Sequence, residues 1–186
     1  MTGSGHHAPA SFQDASIIVV MGVSSSGKST IGVGLAEALG VPFLDADSYH
    51  QDASIARMRA GIPLTDEDRW PWLARFADAL AATAHASGAA VGACSALRRA
   101  YRDFLTVHAD APILFIHLHG DRALIARRIA RRAHHYMPAS LLDSQFESLE
   151  VPAADENALI VPVDLPVPDV VSRILAQIRQ RPASPA

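Results

Sequence analysis

The chain has one cysteine, Cys94, and one lysine, Lys28, among its 186 residues. A lone cysteine excludes an internal disulfide framework and suits a reducing compartment, so a cytoplasmic location is expected. Long hydrophobic runs are also lacking. The longest apolar stretch, Ile17 to Val23, is far below the roughly 20 residues a membrane-spanning helix needs. Residues 1–13 carry His6, His7 and Pro9 but no charged-then-apolar secretory pattern. Charge of one sign is scarce too: 16 basic against 19 acidic residues leave −3, so no broad basic surface offers itself to nucleic acid. What is present is ordinary globular material, 49% apolar and 19% charged. A chain of this size buries about 70% of its unfolded surface and needs no disulfide or metal to hold a core.

Apolar runs alternate with amphipathic stretches. Ala15–Met21 is a continuous β-rich run, as expected for a strand buried on both faces. From Ser29 the spacing changes to every fourth residue (Ile31, Leu35, Leu39), and Gly40 with Pro42 closes that helix. Further strands are expected at 41–44, 89–94, 113–118 and 159–163, and helices at 69–87, 98–107, 121–132 and 167–180. The alternation predicts an α/β fold with right-handed βαβ crossovers and a parallel sheet of about five strands flanked by helices. A single domain is expected over 15–180, between a flexible N-terminus (1–14) and a flexible tail (181–186). Residues 133–155 show the least regular pattern and are expected to host a mobile segment.

Gly22-Val23-Ser24-Ser25-Ser26-Gly27-Lys28-Ser29 matches G-x-x-x-x-G-K-[ST], directly after a predicted strand and at the start of a predicted helix. Glycines let the backbone wrap phosphates, and the helix start supplies unpaired N–H groups with a partial positive end. The chain uses arginine at 15 of its 16 basic positions and keeps its one lysine here, where a compact point charge reaches outer phosphates. The hydroxyl of Ser29 is then a magnesium ligand, and Thr30 continues the loop. No G-x-G-x-x-G follows the first strand, so a nicotinamide or flavin reading has no support.

Phosphoryl transfer asks a protein for positioning, magnesium and cations, with a carboxylate near the attacking hydroxyl. Asp45-Ala46-Asp47 follows the second predicted strand, and an extended chain there puts both carboxylates on one side. Asp45 is a candidate for holding a magnesium-bound water and Asp47 for accepting a hydrogen bond from the acceptor hydroxyl; a solvated acidic turn is the plain alternative. In Asp66-Glu67-Asp68-Arg69-Trp70-Pro71-Trp72, Asp66 or Asp68 suits a helix start, Arg69 a bidentate grip on a carboxylate, and Trp72 the core. Five arginines (122, 127, 128, 131, 132) crowd one predicted helix. Either they form a solvated face, or Arg128 and Arg132, one turn apart, line a lid that neutralises the transferred group. His134 and His135 beside them have no second cluster with which to bind metal. Cys94 reads as a small buried hydrophobe.

Several separated stretches together resemble the gluconokinase family of phosphate-loop kinases. They are Met21–Thr30, Phe43–His50, Met58, Gly61–Leu64, Asp66–Leu73, Ala93–Arg99 with Tyr101–Asp103, Arg132, His135-Tyr136, Leu141-Leu142, Ser144–Phe146, and Leu149-Glu150 with Pro152. The resemblance runs in family order from about residue 15 to 178. It implies a nucleoside-monophosphate-kinase-like fold with a lid at about 122–150. It also implies transfer of the ATP γ-phosphate to the 6-hydroxyl of D-gluconate, with magnesium, by a homodimer. By position it implies that Lys28 and Ser29 serve ATP and magnesium, and Asp47 the acceptor hydroxyl. His50, Arg69, Arg98 and Arg102 would serve the rest of gluconate, with Arg128, Arg132 and His135 in the lid. The chain departs from the family pattern at Ser25 and Ala46 (glycines elsewhere), at Gln51 and Ser54 (proline and asparagine elsewhere) and at His134 (glycine elsewhere).

Two other readings compete. A shikimate-kinase-like enzyme also pairs this loop with a DxD after the second strand, but calls for a triple-glycine turn after the third, where this chain has Cys94-Ser95-Ala96-Leu97. A non-catalytic nucleotide-binding module lacks an acceptor constellation, which Asp47, Arg69 and the late arginines supply.

Overall fold

The β-rich runs form one five-stranded parallel sheet. β1 is Ile17–Met21, β2 Phe43–Asp45, β3 Ala90–Ala93, β4 Ile113–His119 and β5 Ala158–Pro162, in the spatial order β2-β3-β1-β4-β5. The computed structural model describes residues 16–130 and 140–181, the side chains of 140 and 141 excepted. The expected flexible N-terminus, the tail beyond Arg181, and Arg132, His134 and His135 therefore lie outside the described residues.

Side-chain alternation along β1 explains the layers. Ile17, Val19 and Met21 face a core built with Leu73, Phe76, Leu80, Tyr101 and Leu105 of α3 (Asp66–Ser87) and α4 (Arg99–Ala109). Ile18 and Val20 face the opposite way, toward Ile31 and Leu35 of α1 (Lys28–Leu39) and Val170, Val171 and Ile174 of α7 (Val167–Gln180). Every β1 residue is buried, worth about 1.5–3 kcal/mol for each large apolar side chain. Gly92 of β3 has a specific packing reason: a Cβ there would lie 2.7 Å from Phe76 and 2.9 Å from Leu80. Its absence lets α3 rest directly on the sheet.

Two helices were not expected. α2 (Asp52–Arg59) buries only Ser54, so it has no apolar stripe to announce it; its signal is electrostatic, with Asp52 in the first turn and Arg57 and Arg59 in the last. α6 (Ser140–Ser148) occupies the stretch expected to be irregular. Leu142 is buried, and Phe146 and Leu149 pack beside it with Val23, Leu97 and Ile125. These three recur at four- and three-residue intervals, a helical signal that was available in the sequence. α5 (Arg122–Ala130) begins one residue later than expected. α3 begins three residues earlier, because Thr65 caps it: the Asp68 N–H donates to Thr65 Oγ1 and the Thr65 N–H donates to Asp68 Oδ2. The cap is Thr65, with Asp68 as its reciprocal partner. Arg181, placed in the tail by the sequence pattern, donates to Asn157 Oδ1.

The chain leaves β1 toward β2 on one side and leaves β3 toward β4 on the other. The direction of winding reverses between β1 and β3, and a crevice opens at their carboxyl ends, where α/β sheets collect ligands.

Candidate active site

The loop after β1 occupies that crevice. Gly22 has φ +140°, and a Cβ there would meet the Leu118 carbonyl at 3.0 Å. Gly27, at φ 104°, precedes α1 without a side-chain cap, and the first turn of α1 holds no acid. The helix thus keeps its N-terminal N–H groups and partial positive charge for an external anion. Ser25, which stands where the resemblance has glycine, takes the left-handed conformation at φ 60°, so the loop keeps its shape at a strain of about 1–2 kcal/mol. The hydroxyls of Ser25 and Ser26 are buried without a hydrogen-bond partner among the described residues. Such atoms suit a phosphate cradle, since unmet buried polar groups are costly. Lys28 Nζ donates to the Val23 carbonyl at 3.1 Å and lines the cavity beyond.

Beside the loop, Ser29 Oγ donates to Asp45 Oδ2 at 2.6 Å. Among the described residues no group of three or more His, Cys, Asp and Glu converges on a metal. The hydroxyl–carboxylate pair nevertheless fits a hard ion such as magnesium, which usually takes one or two protein oxygens and completes its shell with water and phosphate. The two acids are not on one extended strand as expected. Asp45 ends β2, a single 3₁₀ turn follows at Ala46–Tyr49, and Asp45 Oδ1 accepts from the Asp47 N–H at 3.1 Å. A turn capped by Asp45 therefore separates the carboxylate that meets Ser29 from the carboxylate of Asp47. Ala46 is fully buried in that turn.

A cavity of about 190 Å³ lies against the loop, lined by Ser24, Lys28, Asp47, His50, Arg69, Trp72 and Tyr101 among others. The Asp47 side chain is 88% exposed, and His50 Nε2 lies 3.9 Å from its Oδ1. The His50 ring stacks on Trp72 at 4.2 Å, and its pKa falls below the ordinary value because burial disfavours the cation more than Asp47 favours it. Trp72 belongs to the core, as expected, but also has a site role: Nε1 donates to the Ala46 carbonyl at 2.6 Å and locks the acidic turn. Arg69 Nη1 donates to Asp66 Oδ1 at 2.8 Å and to Tyr101 Oη at 2.9 Å, and Tyr101 Oη donates to Asp66 Oδ1 at 2.6 Å. The Tyr101 hydroxyl, followed by Arg69 and Arg98, holds the Asp66 carboxyl below its usual range.

Two expected substrate arginines stand elsewhere. Arg98 does not line the cavity; its Nη1 donates to Asp66 Oδ2 at 3.1 Å, so it braces the site from behind. Arg102, expected on gluconate, is a buried structural residue instead. It is 1% exposed and bound bidentately to Glu156, Nε to Oε2 at 2.5 Å and Nη2 to Oε1 at 2.9 Å. Its Nη1 donates to the Ala96 and Leu97 carbonyls. Every one of these contacts ties the turn after β3 to the segment before β5, and none faces the cavity. Arg128 Nη1 donates to the Ser26 carbonyl at 3.0 Å and Nη2 to the Val163 carbonyl. It borders a second cavity of about 330 Å³ with Gly27, Thr30, Val163, Leu165 and Val167.

Sequence reasoning assigned no role to Tyr101, Trp72's indole N–H, the Met58–Leu64 wall, or Ser144, Gln145 and Ser148 of α6, all of which border the first cavity. Tyr101 lies one helical turn beyond Arg98, a spacing that offered a signal. Gln145 offered none beyond its place in the resembling stretch. Cys94 is buried, as expected of a small apolar residue, and burial pushes its thiol up to about 12.

Strand order, loop and cavity together define the class: a phosphate-loop kinase. A family model described as an AAA domain matches residues 17–152. A probable gluconokinase of Xenopus tropicalis is 40% identical over 179 residues, covering 89% of this chain and 94% of its own. The gluconokinase of Gluconobacter oxydans is 47% identical over 144 residues, covering 77% and 80%. A crystal structure of a gluconokinase from Sinorhizobium meliloti superposes with a TM-score of 0.80 at 44% identity, covering 91% of this chain and 93% of that one. The chain belongs to the gluconokinase family.

Proposed function

We propose that this protein performs its family's reaction, transfer of the ATP γ-phosphate to the 6-hydroxyl of D-gluconate, in the cavity beside the phosphate loop. One observation carries the reading. Lys28, Asp47, His50 and Arg69 line one cavity, and the Ser29–Asp45 pair adjoins Lys28 in sequence and is joined to Asp47 through the Asp47 N–H, so cation, metal donors and acceptor-side groups serve a single transfer. ATP lies with its phosphates along residues 22–30. Its base enters the cavity bordered by Arg128, Val163 and Leu165, where apolar walls and a guanidinium plane suit an aromatic ring. Ser29, with Asp45 acting through a bound water, would hold magnesium, which would supply positive charge to the phosphate oxygens.

Lys28 stabilises the outer phosphates as the bond to ADP lengthens. Asp47 accepts the hydrogen bond of the 6-hydroxyl, aligns its oxygen in line with the leaving group and receives its proton as the new P–O bond forms. His50, neutral near pH 7, donates to or accepts from the neighbouring sugar hydroxyls without adding charge. Arg69 grips the gluconate carboxylate. Its Nη1 is anchored by Asp66 and Tyr101, which lowers the entropy lost on binding. Magnesium dependence and assembly as a homodimer rest on the family resemblance, and the cytoplasmic location on the lone cysteine.

The test is a coupled assay with ATP-magnesium and a panel of gluconate, shikimate and related acids. Gluconate is the preferred acceptor under this reading. Preferred turnover of another acid overturns it, and ATP binding with no acceptor at all points to a nucleotide-binding module.

A further inference from the structure

Several long-range hydrogen bonds reach the phosphate loop, and one of them joins it to the helix over the cavity. The Ser24 backbone N–H donates to Gln145 Oε1 at 2.6 Å across 121 positions of sequence. Ser24 is a residue of the turn that cradles phosphate, and both residues border the acceptor cavity together with Lys28 and Asp47. The same helix is pinned to the same loop by apolar contact, since Leu142 and Phe146 pack with Val23. Its exit is pinned to the turn after β3, where the Glu150 N–H donates to the Leu97 carbonyl at 2.9 Å. The loop that holds the donor and the turn after β3 together seat α6 on the cavity wall.

We propose that Gln145 is a positioning residue that couples the phosphate loop to the acceptor pocket and keeps water from replacing the acceptor hydroxyl. The carboxamide oxygen satisfies the Ser24 N–H, which would otherwise hold a water at the edge of the transfer path. It also keeps Ser144 and Ser148 on the cavity wall. When that link is lost, α6 no longer closes the wall. Water then attacks the same γ-phosphorus, breaks the same bond, and releases ADP and inorganic phosphate in place of the phosphorylated acceptor. Exclusion of water by a closed wall is a general source of transfer over hydrolysis.

The inference rests on the proposed gluconate reaction, and the wild-type protein serves as the control that separates the two. Absence of gluconate-dependent ADP release by wild type sinks the reaction itself. The variants are Gln145→Met, close in shape but without the acceptor oxygen, and Gln145→Glu, which keeps an oxygen for the Ser24 N–H. For each, gluconate-dependent transfer, acceptor-free hydrolysis and both KM values are measured, with a melting curve as the check on folding. Gln145→Met should raise the hydrolysis-to-transfer ratio about tenfold and the gluconate KM several-fold, with the ATP KM little changed, on the scale of one lost hydrogen bond. Gln145→Glu should restore the ratio toward wild type while raising the ATP KM, because its charge stands beside the phosphates. An unchanged ratio in Gln145→Met overturns the proposal. So does a Gln145→Glu protein whose ratio matches that of Gln145→Met, whatever their melting temperatures.

Discussion

Lys28 is the residue on whose charge and shape the proposed reaction most depends. Its Nζ rests on the Val23 carbonyl at 3.1 Å at the mouth of a loop formed by residues of its own segment. Lys28→Ala removes the point charge from developing phosphate charge and leaves the core intact, so kcat should fall by roughly two to three orders of magnitude. Retention of activity within a few-fold, with an unchanged melting curve, would contradict the proposed role. Asp47→Asn should separate the two substrates: the exposed side chain contributes nothing to the core, ATP affinity should hold, and kcat should drop about a hundredfold or more as the hydroxyl loses its aligning carboxylate. Titration of ATP binding beside steady-state kinetics reads both. Arg102 and Glu156 behave in the opposite way. With Arg102 1% exposed, Glu156→Gln strands a buried guanidinium and should cost about 3 kcal/mol. The gluconate KM should stay near wild type, as measured by urea denaturation and kinetics on the same preparation.

Elements position these residues through close approaches that single atoms decide. Gly92 brings α3 against β3, and α3 carries Asp66, Arg69 and Trp72 from its capped first turns. Gly92→Ala should cost about 1–3 kcal/mol by overpacking. The added methyl pushes on Phe76 and Leu80, several turns from Arg69 along one rigid helix, so the acceptor KM should rise with the loss of stability; denaturant midpoints and acceptor titrations check both. Local signals explain most of the element layout. The stripe of Ile31, Leu35 and Leu39 ends at a left-handed Gly40, and the Thr65–Asp68 box starts α3. α2 has no apolar stripe because it buries almost nothing, and the apolar series of α6 spans only Leu142 to Leu149.

The whole molecule should be acid-sensitive, and the sign follows from burial. His117 is 1% exposed in β4, and burial, then His119 and Arg102, push its pKa from 6.5 to about 4. The unfolded chain therefore binds a proton that the folded chain refuses. The stability due to this neutral imidazole is complete above pH 6.5 and is lost as pH falls toward 4, by about 3 kcal/mol in all. Glu156, held below its usual range chiefly by Arg102, adds a loss of the same sign at lower pH. Urea denaturation at pH 7 and pH 5 should show the drop, and His117→Phe should flatten the slope between them; an equal slope in that variant would assign the acid sensitivity to other groups.

At this scale the division between chain and fold is visible in particular residues. The run Gly22–Ser29, the alternation along β1 and the four-residue stripe of α1 are local patterns, so the sequence alone determined the phosphate loop, the parallel α/β class and the family resemblance. Local interactions span at most a few residues, and they carry no record of what arrives from elsewhere. Only tertiary structure turned Arg102 inward to Glu156, 54 positions away, while leaving Arg69 on the cavity wall. Only tertiary structure set Asp45 on Ser29 and Gln145 on Ser24. An arginine's chemistry is the same in either place. Which partner it meets is decided when the sheet closes and brings distant segments within hydrogen-bond reach.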